Sequence, residues 1–437
     1  MQHLRVMSDG RVDFVLYHLY ELNQAALRPA RAAAEAYRLL FRNPLNPAYH
    51  TPLGRSAAAA LELFERTTRR YRKPAWGIDH TEVKGRKVAV RARTLVSKPF
   101  CNLVYFEREV SRWRRLRDPK ILVVAPMAGH FSTLLRGTVR DLLPHYEVYV
   151  TEWQDARFVP RAAGPFDLDV YIDYIIEFLR FFRGNVHVMA VCQPTVPVFA
   201  AVSLMEAMGD GASPLSMILM AGPIDARESP TEVNRFARGR SIDWFERNVI
   251  TQVPWPYPGV MRGVYPGFLQ LSGFMGMNFD RHVTAHRELF HNLIKGDGDS
   301  ADKHREFYDE FLAVMDLTAE YYLQTIETVF LEHKLPKGQM VHRNRLVDPS
   351  KIRNVALMTV EGEKDDISGV GQTKAAQTLC TNLAEGLRAH HLQPGVGHYG
   401  VFNGSRFRSE IAPKIRDFTA THQRRKGALA RAFGWTA

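Results

Sequence analysis

An α/β fold with a mostly parallel central sheet, a helical arm before it and a helical cap inserted into it, is what the sequence predicts. Three observations predict it. Continuous apolar runs of strand length alternate with helical segments between positions 121 and 220, the alternation stops at Gly222, and it resumes at Val355. Runs apolar on both faces and separated by helices are what a buried parallel sheet requires.

In chain order, residues 13–73 carry a helical pattern, from Phe14, Leu16, Tyr17, Leu19, Tyr20 and Leu22 into an Ala/Arg-rich stretch broken at Asn43-Pro44 and Asn46-Pro47. A second helix is expected over 56–71, ending in the basic run Arg69, Arg70, Arg72 and Lys73. From Thr81 the pattern turns to short β-like runs at 87–96 and 100–106. Strands are then expected at 121–125, 146–151, 186–191 and 215–220, with helices at 131–143, 167–182 and 196–208 between them. Residues 223–340 read as helical and aromatic. A strand at 355–360, a helix at 372–387, a Gly-rich loop at 395–400 and a last helix at 405–421 complete the pattern. The expected organisation is therefore an arm over 1–78, a core over 79–222 and 341–437, and a cap over 223–340.

Composition narrows the class. With 437 residues, 46% hydrophobic and 24% charged, the chain is neither disordered nor a collagen-like repeat. Three scattered cysteines, Cys101, Cys192 and Cys380, make neither a disulfide framework nor a Cys-rich zinc site, and point to a reducing compartment. The first residues lack the apolar run of a secretion signal. The apolar tract 186–205 contains His187, Gln193, Pro194 and Pro197, and reads as strand, sharp turn and helix rather than a membrane span. A net charge of +12 would suit an anionic surface, but no nucleic-acid-binding motif accompanies it. Asp297, Asp299 and Asp302 resemble a calcium loop without its spacing. His282 and His286 lack the Glu of a zinc protease between them, so no metal is expected.

The informative junction is Ala190-Val191-Cys192-Gln193-Pro194, where an apolar strand runs directly into a helix. A nucleophile thrust out on such a turn is the G-x-S-x-G elbow, here with Ala and Pro at the flanking positions and Cys as the nucleophile. Ala is compact enough for the turn, and Pro suits a first helical turn. The alternative is a small buried thiol with a packing role. After the strand at 355–360 comes Glu361-Gly-Glu-Lys-Asp365-Asp366, where a triad acid belongs, or simply a solvated turn. Gly395-Val-Gly397-His398-Tyr-Gly400 follows, and its glycines permit close approach of another segment. Nucleophile, acid, histidine is the chain order of the α/β-hydrolase fold. In that fold the loop after the strand at 121–125 and the residue after the nucleophile donate the oxyanion-hole N–H groups, here Met127 and Gln193. His130 either lines that site or caps the next helix.

These residues resemble the intracellular polyhydroxyalkanoate depolymerases of the poly(3-hydroxybutyrate) type. The resemblance rests on Ala190-Val-Cys-Gln-Pro194, Ala125-Pro-Met-Ala-Gly-His-Phe131, Gly296-Asp-Gly-Asp-Ser-Ala-Asp-Lys-His304 and Thr359-Val-Glu-Gly-Glu-Lys-Asp-Asp-Ile-Ser368. It implies an α/β-hydrolase with a cap and a triad of Cys192, Asp365 and His398. It further implies no cofactor, a cytoplasmic setting, and action on polyester granules, and it leaves room for a homodimer. Trp255, Tyr257, Tyr265, Phe268 and Phe274 would offer aromatic surface to the polymer, and Arg424, Arg425 and Lys426 would aid docking to an acidic granule coat. The rival readings are a polyhydroxyalkanoate synthase-like acyltransferase, whose box has glycines where Ala190 and Pro194 stand, a non-catalytic granule-binding protein, and a soluble thioesterase.

Overall fold

The computed structural model describes residues 12–277, 288, 305 and 307–432. The pair His282 and His286 and the segment 296–304 lie outside them, as do the side chains of Phe274, Arg424, Arg425 and Lys426.

Nine strands form the central sheet: β1 (His80–Val83), β2 (Arg86–Ser97), β3 (Cys101–Arg108), β4 (Lys120–Val124), β5 (Glu147–Trp153), β6 (His187–Val191), β7 (Ser216–Met220), β13 (Ala356–Gly362) and β14 (Arg388–Gln393). Their spatial order is β1-β2-β3-β5-β4-β6-β7-β13-β14. The pairings of β1 with β2, β2 with β3 and β3 with β5 are antiparallel. From β5 to β14 every pairing is parallel. This is an α/β-hydrolase sheet. The runs Ile121–Val124, His187–Val191 and Ser216–Met220 are buried at every position because helices cover both faces. Helices α1 (Val12–Ala26), α2 (Arg28–Phe41) and α3 (Pro52–Thr68) form the arm. Thr51 caps α3, its hydroxyl accepting from Gly54 N at 3.0 Å, with Pro52 in the first turn.

Several elements differ from the sequence reading, each for a local reason. The expected helix at 131–143 opens with a 3₁₀ turn, Ser132–Leu135, before an α-helix, Arg136–Leu142. The expected helix at 372–387 is a short one, Ala375–Leu379, and a turn, Glu385–Leu387. β14 follows it, an edge strand whose sequence Arg-Ala-His-His-Leu-Gln has no apolar run to reveal it. The inserted segment is not purely helical. β8 (Thr251–Gln252), β9 (Gly263–Tyr265) and β10 (Leu317–Thr318) form a three-stranded antiparallel sheet within it. A further hairpin pairs β11 (Val341–His342) with β12 (Arg345–Leu346). Strands of two or three residues are too short for alternation to show, and β10 pairs with a strand far earlier in the chain.

The insert is not a separate lobe. Ala313, Met315, Leu317 and Tyr321 belong to the same continuous core as the sheet strands. Tyr17 of α1 is fully buried, and its hydroxyl donates to Asp316 Oδ2 at 2.6 Å, fastening the arm to the insert. No helix among the described residues is long and apolar enough to cross a membrane.

Candidate active site

The residues singled out at the strand ends meet at the carboxyl edge of the parallel sheet, where ligands bind in open α/β sheets. Cys192 follows β6 directly and has φ +68°, in the left-handed region that a non-glycine residue rarely occupies. The strain is held from both sides. Cys192 N–H donates to Met220 O at 2.8 Å, and Thr195 N–H returns to Cys192 O at 3.1 Å. Helix α7 (Thr195–Ala207) starts at once, so the half-buried sulfur lies at a helix N-terminus. Gly222 lies beneath the turn, and a Cβ there would come within 2.5 Å of Cys192 O and 1.9 Å of Thr195 Oγ1.

Asp365 follows β13 and is buried, whereas Asp366 is exposed. That difference separates two carboxylates the sequence leaves equivalent. His398 Nδ1 bonds Asp365 Oδ2 at 2.9 Å and Oδ1 at 3.1 Å. Asp365 Oδ1 also accepts the N–H groups of Ile367 at 2.9 Å and Ser368 at 2.8 Å, which fixes the carboxylate. Glu361, buried at the end of β13, accepts from Gly371, Thr373 and Lys374 N–H groups and clamps the rest of that loop. Sequence reasoning missed Glu361, since a carboxylate inside a strand gives no motif. Glycines let the two loops touch: a Cβ on Gly362 would meet Val396 O at 2.9 Å, and one on Gly397 would meet Lys364 O at 3.3 Å.

Nδ1 is engaged by Asp365, and the Cys192 thiol is the imidazole's other polar neighbour. Burial disfavours a charged imidazole, but Cys192 and Asp365 together outweigh it and hold His398 well above the usual imidazole range.

Met127 follows β4 and is buried. Its loop is braced by Trp153 Nε1, which donates to Ala125 O at 2.8 Å, and by Gly129, whose φ of +103° no bulky residue would adopt. Met127 N–H points at the residue after the nucleophile and donates to Gln193 Oε1 at 3.4 Å. His130 lines the same space, but its Nε2 engages Phe311 O at 3.0 Å, tying this loop to the insert. Burial pushes His130 down to about 4, so it is neutral.

Cys192, Gln193, Met127, His130 and His398 all line one cavity of about 600 Å³. Its walls are mostly apolar and aromatic: Phe236, Phe245, Tyr265, Tyr321, Phe330 and Phe402. Of the aromatic residues expected to meet a ligand, Tyr265 lines it, and Trp255, Tyr257 and Phe268 do not. Trp255 is 82% exposed on the outer surface. Tyr257 accepts from Arg70 Nη1 at 2.7 Å, and Phe268 stacks on Tyr20 at 4.1 Å, so both join the insert to the arm. The sequence gives aromatic content but not which helix face turns inward. Tyr321 and Tyr322, adjacent in Ala319–Thr325, reach the cavity instead; their only sequence signal is Tyr321 and Thr325 four apart on one helix face.

Residues 221–423 match the family described as PHB de-polymerase C-terminus. That match takes in the insert, β13 and the loops that carry Asp365 and His398, on an α/β-hydrolase fold. Ester hydrolysis is the broad chemistry of such a domain. No protein of curated function matches the sequence. Among solved structures, a putative lipase from Acinetobacter baumannii AYE shares 11% identity, with 76% of this chain and 93% of that one covered at a TM-score of 0.38. A thermophilic esterase from Thermogutta terrifontis shares 12%, with 79% and 98% covered at 0.40. A 2-hydroxy-6-oxo-6-phenylhexa-2,4-dienoate hydrolase from Rhodococcus sp. strain RHA1 shares 8%, with 76% and 99% covered at 0.41. Scores this low leave the fold resting on the strand order of the chain itself.

Proposed function

We propose that the protein hydrolyses ester bonds of poly(3-hydroxybutyrate) or a related short-chain polyester, with Cys192 as nucleophile, His398 as base and acid, and Asp365 as the residue that orients His398. The observation that carries the reading is the imidazole of His398 held between the Asp365 carboxylate and the Cys192 sulfur on a strained turn in an apolar cavity. The sulfur attacks the ester carbonyl carbon while its proton passes to His398, and the oxyanion takes hydrogen bonds from Met127 and Gln193 N–H groups. Collapse breaks the C–O bond. His398 returns the proton to the leaving alkoxide, which departs as a hydroxyl-ended chain. A water then gives a proton to His398 and attacks the thioester, releasing the acid and restoring the thiol. No step needs a cofactor.

The apolar walls support a water-insoluble aliphatic substrate, and the positive charge supports docking on an anionic granule surface in the cytoplasm. Native amorphous granules incubated with wild type and Cys192→Ala test the reading. Wild type should release soluble 3-hydroxybutyrate units and Cys192→Ala none; equal release would sink the nucleophile, and a shared inability would sink the substrate. The acyltransferase rival is tested with hydroxybutyryl-CoA, where coenzyme release with chain growth would replace hydrolysis.

A further inference from the structure

We propose that the Gln193 side chain plugs the oxyanion site of the resting protein, and that Tyr321 is the positioning residue that receives its amide when a substrate carbonyl enters. The proposal rests on the nucleophile assignment above. Met127 N–H, the donor that would hold the substrate oxygen, already donates to Gln193 Oε1 at 3.4 Å. A carboxamide oxygen and an ester carbonyl oxygen are acceptors of the same kind, so the chain places its own acceptor where the ligand's would go. The contact is long, and a better-placed acceptor can displace it.

The second observation is on the facing wall. Tyr321 is 1% exposed and stacks on Tyr171 with centroids 5.5 Å apart. Its hydroxyl has no partner at hydrogen-bonding geometry among the described residues, and neither has that of Thr325 four residues on. Both residues line the cavity, and Thr325, Cys192 and Gln193 are the polar neighbours of the Tyr321 hydroxyl. A hydroxyl that faces the cavity with no well-placed side-chain acceptor is free to donate to an amide oxygen that turns towards it. Gln193 is the half-buried side chain that can turn between the two walls. When the substrate carbonyl takes the Met127 N–H, the Gln193 oxygen turns to accept from the Tyr321 hydroxyl. One hydrogen bond is exchanged for another, and the hole opens only for a ligand that fills it. A small ester, with little other contact, would open it poorly.

The test uses the full chain with a soluble butyrate ester, a 3-hydroxybutyrate trimer, and iodoacetamide alkylation of Cys192, which needs the sulfur but not the oxyanion site. Gln193→Ala keeps the backbone donor and removes the plug. It should raise kcat/KM for the small ester about five-fold, the factor one neutral hydrogen bond is worth, mainly through a lower KM. The trimer should change less, and alkylation should stay within about two-fold. Tyr321→Phe should lower small-ester kcat/KM about three- to five-fold in the wild-type background and have no effect in Gln193→Ala. A fall in all three rates in Gln193→Ala, or a Tyr321→Phe effect of equal size in both backgrounds, overturns the plug. Turnover surviving in Cys192→Ala would instead overturn the nucleophile, so the two failures are distinguishable.

Discussion

Strand β6 is five residues long, buried at every position, and leads into the strained Cys192; strands β8 and β10 in the insert are two residues each, and of them Leu317 of β10 lines the cavity. The sheet edge is built from local patterns whose geometry is fixed by parallel pairing, and it carries the groups proposed above to react. The insert is assembled by contacts between segments far apart in the chain, such as Leu317 with Tyr265 and Met315 N–H with Gly129 O at 2.7 Å. Chemistry thus sits on the rigid half, and the shape of the cavity is set by the half with the weaker local code.

The largest expected effect tests that division directly. Cys192→Ala should reduce ester hydrolysis by about 10⁴-fold or more while leaving the melting temperature nearly unchanged, because a nucleophile acts with its partners as one unit. Trp255→Ala, on the outer face of the insert, should leave turnover of a soluble ester within about two-fold, since an exposed side chain away from the cavity binds nothing there. A large loss in both would show the two halves are not separable. Next in size is the acid. Asp365→Asn should lower kcat by about 10³–10⁴-fold through a misoriented His398. Asp366→Asn, one residue away and exposed, should change it less than about two-fold. Steady-state kinetics on the pair would settle which carboxylate the imidazole uses.

The same contrast explains what could be read in the sequence. β4, β6 and β7 are continuous apolar runs, and the elbow, the acidic turn and the Gly-flanked histidine each follow a strand end, so their order alone brought the triad candidates together. Burial, not spacing, separates Asp365 from Asp366, and nothing in a sequence of two adjacent aspartates encodes it. The cavity wall was not legible for a related reason. Phe268 and Trp255 are as aromatic as Tyr321, but only tertiary packing decides that the first meets α1, the second solvent and the third the cavity. Glu361 and β14 were hidden because a buried carboxylate in a strand and a polar edge strand each break the apolar pattern.

A smaller effect probes the backbone of the elbow. Gly222→Ala would force a Cβ against Cys192 O and Thr195 Oγ1, and should destabilise the fold by about 1–3 kcal/mol. Ala on Gly386, where a Cβ meets nothing within 4 Å, should be close to neutral. Urea midpoints compare the two; equal midpoints would mean that the elbow relaxes without the glycine.

The smallest effect concerns two histidines on one cavity. His130 and His398 are both buried, yet burial outweighs the Phe311 carbonyl bond of the first, while the second has a thiol and a carboxylate beside it. Their titrations should therefore move in opposite directions. With His130 held near 4 in the folded chain and near 6.5 unfolded, the unfolded state binds more protons between those values. Stability contributed by neutral His130 is then full above about 6.5 and lost as pH falls towards 4. For His398 the sign reverses: its folded value lies above the unfolded one, so its contribution is full below about 6.5 and declines as pH rises through the folded value. Imidazole proton shifts followed by NMR should show His130 neutral at pH 6 and His398 titrating above the usual imidazole range. Cys192→Ala should lower the His398 midpoint and leave that of His130 in place, because the sulfur is among the causes that raise the first and not among those that move the second. Equal movement of both midpoints would mean that the cavity responds as one electrostatic body, and that sheet edge and insert do not divide the work.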